Sequence, residues 1–180
     1  MTVLITPSSV VAFWKEAGPQ KWYAKDEAFD REFRDAGRAL HWAAARGELA
    51  DWNQTAEGSL ALMILLDQYP RNSYRGTGHQ FATDGLGLAY ARQAWARGWP
   101  QTFDEDLRQF FVTPFEHSEV LADQDEGVRL ATGMPEVLKY AHVHRDIIVR
   151  FGRFPHRNRA LGRETTAEEQ AFLDQGGFGG

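Results

Sequence analysis

Residues 60–68 read LALMILLDQ, and positions 60–66 hold no polar side chain. Wound as an α-helix, such a run is apolar on every face, so it belongs at the centre of a fold with other elements wrapped around it. It is far too short to cross a bilayer, which takes about 20 apolar residues. A buried central helix demands enough chain to surround it, and 180 residues suffice for one domain with a sizeable core. Thr55 is placed to cap this helix, and Pro70 marks its expected end.

The flanking sequence supplies the wrapping, again in helical rhythm. Residues 8–17 open on Ser8 and Ser9 as N-caps, carry Val10, Val11, Phe13 and Trp14, and stop at Gly18-Pro19. Over 26–46, Phe29, Phe33, Ala36, Leu40 and Ala43 recur at spacings of three and four, with Asp26 to cap the start and Gly47 to end it. Residues 84–97 form another helix, closed by Gly98, and Thr102 caps a short one whose first turn is acidic at Asp104, Glu105 and Asp106. Ser118 caps a helix to about residue 131, and Pro135 opens one that runs to Phe151 and stops at Gly152. Thr165 and Glu168 form a capping box for the last helix, which Gly176-Gly177 ends, leaving a frayed tail. No Asn-Gly or Asp-Gly turn joins two alternating apolar runs, so strands are not expected. The expectation is an all-α protein, a single-domain antiparallel array of about eight helices over residues 1–180.

Charge then narrows the function classes. The net charge is −5, which argues against generic nucleic-acid binding. Its distribution is uneven: residues 141–163 hold six Arg and one Asp, a local +5, so the rest of the chain sums to −10. Sixteen of the 20 basic residues are Arg, the side chain that forks onto carboxylates and phosphates and also serves internal ion pairs. There is no cysteine, which removes disulfides, thiolate catalysis and Cys-based metal centres. The start of the chain lacks a basic region followed by an apolar one, so no signal peptide is expected, and a cytoplasmic location is.

Three polar stretches stand out as candidate chemistry. FGRFPHRNRALGR at 151–163 follows a helix C-terminus; Gly152 turns the chain and Pro155 stiffens it. His156, Arg157, Asn158 and Arg163 there offer a titratable group, cationic forks and an amide. DQYPRNSYRG at 67–76 repeats the Pro-Arg-Asn order and supplies Arg71, Asn72 and Arg75 at the end of the apolar helix. PFEHSE at 114–119 supplies His117 and Glu119, a possible acid/base couple. Each has a purely structural alternative: cations suit a helix C-terminus, Asp67 can pair with a following Arg, and Ser118-Glu119 can simply start a helix. His144 lies on an apolar helix face and reads as a core histidine, His142 as exposed, and His41 and His79 give no partner signal. His117, Glu119 and His156 lack the spacing of a metal motif, and no phosphate or nucleotide fingerprint occurs, so neither metal nor cofactor is expected.

The combination of FW at 13–14, WYAKDEAFD at 22–30, LALMILLDQYPRNSYRGT, FATD at 81–84, PFEHSE and HRDIIVRFGRFPHRNRALGRETTAEE at 144–169 resembles the DUF924 family of uncharacterised bacterial proteins. The resemblance covers almost the whole chain. It implies an all-α fold similar to tetratricopeptide-repeat superhelices, without that repeat's own consensus, and it implies no activity. Phe115-Glu116 departs from the more apolar residues expected there, which leaves open how tightly that turn is buried.

The functional expectation is a small anionic ligand, phosphate- or carboxylate-bearing, held by Arg71, Asn72, Arg75, Arg157, Asn158 and Arg163. His117 or His156 would move a proton, with Glu119 as partner, and the three loops would converge on one pocket. The alternative is a tetratricopeptide-like interaction module that grips an acidic peptide, its arginine loops being structural. No nucleic acid or membrane partner is expected, and the sequence is silent on oligomeric state.

Overall fold

The computed structural model describes residues 4–179. Among these, every regular element is helical and no strand occurs, as the sequence pattern requires. The helices are α1 (Pro7–Ala17), α2 (Pro19–Trp22), α3 (Glu27–Ala45), α4 (Ala56–Met63), α5 (Tyr69–Ser73), α6 (Asp84–Ala96), α7 (Glu105–Arg108), α8 (Thr113–Glu116), α9 (Leu121–Leu130), α10 (Pro135–Phe151) and α11 (Ala167–Asp174). No helix is long and apolar enough to cross a membrane among the described residues.

The chain divides into two units. The first holds the described residues up to Arg75 together with His79–Pro114, and the second holds Gly76–Gly78 and everything from Phe115 onward. In the first unit, all seven residues of the apolar run are at 0% exposure. α4 packs against α1 and α6, while α5 packs against α3. Beside them Trp14 stacks on Trp22 at 5.9 Å and meets the edge of Phe110 at 5.4 Å, an arrangement that suits the ring quadrupoles. Asp26 caps α3 through its side chain, and Thr55 does the same for α4. Thr6, not Ser8 or Ser9, caps α1, because Pro7 takes the first helical position, where a missing N–H costs nothing. Likewise Asp104, not Thr102, caps α7. The buried stripe of α3 begins as read, at Phe29, Phe33 and Ala36, but continues through Gly37, His41 and Ala44. Gly37 is needed for close approach: a Cβ there would lie 2.8 Å from the Tyr69 ring.

Pro70 does not end the central helix. A π-helical turn spans Ile64–Gln68 and α5 follows directly, so Arg71 and Asn72 sit on a helix and not in a loop. The Tyr69 N–H reaches back to the Ile64 carbonyl, and Pro70 has no N–H to give. The Leu65 carbonyl therefore bonds His41 Nδ1 at 2.9 Å, and the Leu66 carbonyl accepts from the Thr83 hydroxyl.

His41 is fully buried, and that burial pulls its pKa down from 6.5 to about 4, against the opposing pull of the Leu65 carbonyl. A neutral histidine in the fold and an ordinary one in the unfolded chain make the unfolded state bind more protons between those values. Stability is then full above pH 6.5 and is lost as the pH falls toward 4. Urea unfolding is expected to show about 2 kcal/mol less stability at pH 5 than at pH 7. His41→Gln is expected to flatten that difference; an equal slope in the variant would assign it elsewhere.

In the second unit α9 and α10 pack together, and α11 lies against the short turn Pro155–Arg157. Pro135 opens α10 as expected, and Gly152 (φ 70°) closes it, returning its N–H to the Ile148 carbonyl. Ile147, Ile148 and Phe154 form a core cluster with Phe151, Phe172 and Phe178 packed against it. Phe178 therefore belongs to that cluster, at a position where the sequence pattern expects a frayed tail. Ser118 does not cap a helix through its side chain: α9 starts at Leu121 behind Val120, and the Ser118 hydroxyl donates to Asp123. Phe115 and Glu116 are 0% and 5% exposed, so that turn is tightly buried. The capping box of α11 is Thr166 with Glu169, one residue later than the sequence frame.

Candidate functional site

Two of the three polar stretches meet inside the second unit. Glu119 is the hinge between them: its Oε1 accepts from the Phe154 N–H at 2.9 Å and from Arg163 Nη1 at 2.9 Å, and its Oε2 from Arg163 Nη2 at 2.7 Å. Burial raises the cost of its charge, but the Arg163 fork, the Phe154 N–H and the nearby Arg157 outweigh that, so the carboxyl titrates below its ordinary range. Arg157 is itself buried, with its guanidinium 4.4 Å from the Phe154 ring centroid.

Three histidines are joined near Glu119 by a run of ring contacts. The rings of His117 and His144 are 6.0 Å apart, His144 lies 5.8 Å from Phe154, and Phe154 lies 5.6 Å from His156. Phe178 closes the group, 4.6 Å from His144 and 5.6 Å from His156. His144 is buried, its Nδ1 bonded to the Tyr140 carbonyl at 2.8 Å, while His117 and His156 are partly open. The core-histidine reading of His144 is thus correct, yet it stands between the two expected acid/base residues. His142 is exposed, as read.

A second layer holds the 152–163 segment in shape. Glu169 accepts both nitrogens of the Arg153 fork at 2.6 and 2.9 Å, the Thr166 N–H at 2.8 Å and Asn158 Nδ2 at 3.2 Å. The Arg153 fork above all holds its carboxyl down at about 2, against burial. Asn158 is fully buried and also reaches Thr165.

The remaining expected ligand residues lie in the first unit, and each has an acidic partner. Arg71 forks onto Asp84 at 2.8 and 3.0 Å and also meets Asp67 at 3.2 Å. Asn72 donates to Asp30 at 2.7 Å, and Arg75 donates to the same carboxylate at 2.7 and 3.1 Å. The Asp67–Arg71 pair is the internal tie that the sequence allowed as an alternative. No set of three or more His, Cys, Asp or Glu with a metal-holding arrangement occurs among the described residues.

The sequence reading missed His144 and Phe178 as neighbours of His156, and also His41 with His79, whose Nε2 atoms are 2.8 Å apart. His144 carries an apolar-face signal that points to the core. The others come together only through contacts across 22 residues or more, which local pattern does not encode.

An all-helical chain with a histidine–arginine cluster behind the last long helix defines a structural class without a standard activity attached to it. The chain belongs to the family described as bacterial protein of unknown function (DUF924), whose model matches residues 10–177. Among solved structures it is similar to the protein of unknown function ATU0120 from Agrobacterium tumefaciens, at 52% identity and a TM-score of 0.92, covering 94% of this chain and 97% of that one. No curated protein matches the sequence.

Proposed function

We propose that the 114–119 and 152–163 segments form a binding site for a small anion, phosphate- or carboxylate-bearing, with His117 or His156 as proton donor and acceptor. The observation that carries this reading is the run of ring contacts from His117 through His144 and Phe154 to His156, beside Arg157 and Arg163. Histidine is the side chain whose charge changes near neutral pH, and a buried guanidinium next to it supplies the fixed positive charge an anion needs. Arg163 is spent on Glu119, and Arg153 on Glu169, so these two shape the segment. Arg159 is exposed on the same segment and has no acidic partner among the described residues, so it is the cation that meets an anion first. Asn158 would orient the ligand's polar edge through the segment it anchors. In this reading Arg71, Asn72 and Arg75 act as ties of the first unit. Family membership points to a bacterial setting, and we place the activity in the cytoplasm.

The interaction-module reading draws support from the closed arginine forks of Arg71, Arg75 and Arg163. A groove of about 490 Å³ along α1 in the first unit fits it poorly, because Glu57 and Asp104 outnumber Lys15 on its walls and repel an acidic peptide.

A thermal-shift series with phosphate, pyrophosphate, citrate and succinate at matched ionic strength tests the anion reading. A ligand present at about a hundred times its Kd adds about 2.7 kcal/mol and raises Tm by about 5 °C or more. His156→Gln with Arg159→Gln is expected to abolish that rise while leaving the ligand-free Tm within about 2 °C. No rise with any of the four anions would remove the proposal.

A further inference from the structure

The first unit holds a second histidine arrangement, unrelated to the one above. His41 is fully buried on α3, and His79 is partly open on the turn Gly78–Phe81. The Leu65 carbonyl can only accept, so His41 Nδ1 carries the proton that bonds it at 2.9 Å. His41 Nε2 is then an acceptor, and the 2.8 Å contact makes His79 Nε2 the donor. The other nitrogen of His79, Nδ1, is left with its lone pair, and no described residue bonds it. The order carbonyl, imidazole, imidazole repeats the logic of a carboxylate–histidine couple: an inner acceptor fixes the tautomer and direction of the outer base.

The carbonyl is available for a reason built into the backbone. The π turn and Pro70 together leave Leu65 without a main-chain donor, and π turns recur where helices are bent to serve a site. Aromatic rings surround the pair. Tyr69 stacks on His41 at 4.8 Å, Trp42 lies 4.7 Å from His79, and the Tyr74 ring meets His79 edge-on at 4.3 Å. Trp42 is 40% exposed although its ring is large and apolar, so part of this aromatic wall faces outward. Arg38 acts electrostatically on Tyr69 at the edge of this cluster, and neither histidine is paired to a charged side chain.

We propose that His79 is the acid/base residue of a second site, positioned by His41, which takes a flat uncharged aromatic molecule with a weakly acidic O–H or N–H against Trp42 and Tyr74. The proton leaves the substrate oxygen or nitrogen for His79 Nδ1, giving an imidazolium and the substrate anion. The Nε2–H stays on His79 and tightens its bond to His41, which offsets the new charge. Return of the proton from Nδ1 closes the cycle, with no change of oxidation state.

The test uses the full chain, and its first part needs no variant. Long-range 1H–15N correlation at pH 7 is expected to show His41 protonated at Nδ1 and His79 at Nε2. The second part adds 4-nitrophenol, whose anion is coloured. The wild type is expected to show saturable shifts of the Trp42 indole N–H and a phenolate-to-phenol ratio at least tenfold higher for the bound probe than for the free probe at the same pH. His79→Gln is expected to keep the indole shift and lose the phenolate. His41→Gln is expected to keep probe affinity and cut the phenolate at least fivefold, a split that loss of fold cannot produce, with circular dichroism confirming helicity. Reversed tautomers, phenolate that survives His79→Gln, an absent indole shift, or Zn2+ displacing the shared proton at micromolar concentration would each overturn the assignment.

Discussion

Arg71→Ala is expected to destabilise the protein by about 4 kcal/mol, the largest effect of any single substitution proposed. The guanidinium lies between two carboxylates, Asp67 with a side chain 1% exposed and Asp84 at 13%. Burial disfavours its charge, yet those two carboxylates overcome that and raise its pKa further. Removing it leaves Asp67 charged in the core without its guanidinium, while Gln68 and Thr113 still donate to it. Such a carboxylate escapes by taking up a proton, so the loss should be larger at pH 8 than at pH 5.5. Urea unfolding at the two pH values checks both the size and the sign. A loss below about 1 kcal/mol would mean the pair is no more than a surface bridge.

Glu169→Ala is expected to cost about 3 kcal/mol. Glu169 holds the Arg153 fork, the α11 capping box and Asn158 at once, so one deletion strands three donors. Its carboxyl is held at about 2, so its contribution is full above about pH 4.5 and falls away as the pH drops toward 2. Arg153 is 30% exposed and can regain water, which keeps the expected loss below that of Arg71. Guanidinium unfolding of the variant measures it. An unchanged midpoint would contradict the claim that Glu169 holds the 152–163 segment in place.

Much of the frame was legible because it rests on local rules. Asp26, Thr55, Gly47, Pro135 and Gly152 sit where capping chemistry puts them. The misreadings share one physical cause, a tertiary contact choosing between locally equivalent options. The string TTAEE holds two capping-box frames, and the later one wins because Glu169, not Glu168, can reach Arg153 and Asn158. Glu119 reads as a helix-start residue, yet it spends its oxygens on residues 35 and 44 positions away. Pro70 reads as a stop, but a π turn absorbs it and frees carbonyls that distant side chains take up. His117 joins the cluster through His144, which in turn meets the Phe154 ring beside His156. The sequence expectation had three loops converge on one pocket and gave no role to His144, whose ring meets that of His117.

Histidine NMR tests the central claim most directly. The six histidine ring signals are followed as pyrophosphate is added at constant ionic strength and pH 7. The account predicts saturable shifts at His117 and His156, a smaller one at His144, and none at the exposed His142 or at His41 and His79. Shifts of equal size at all six, or no saturable shift at His117 and His156, would contradict it.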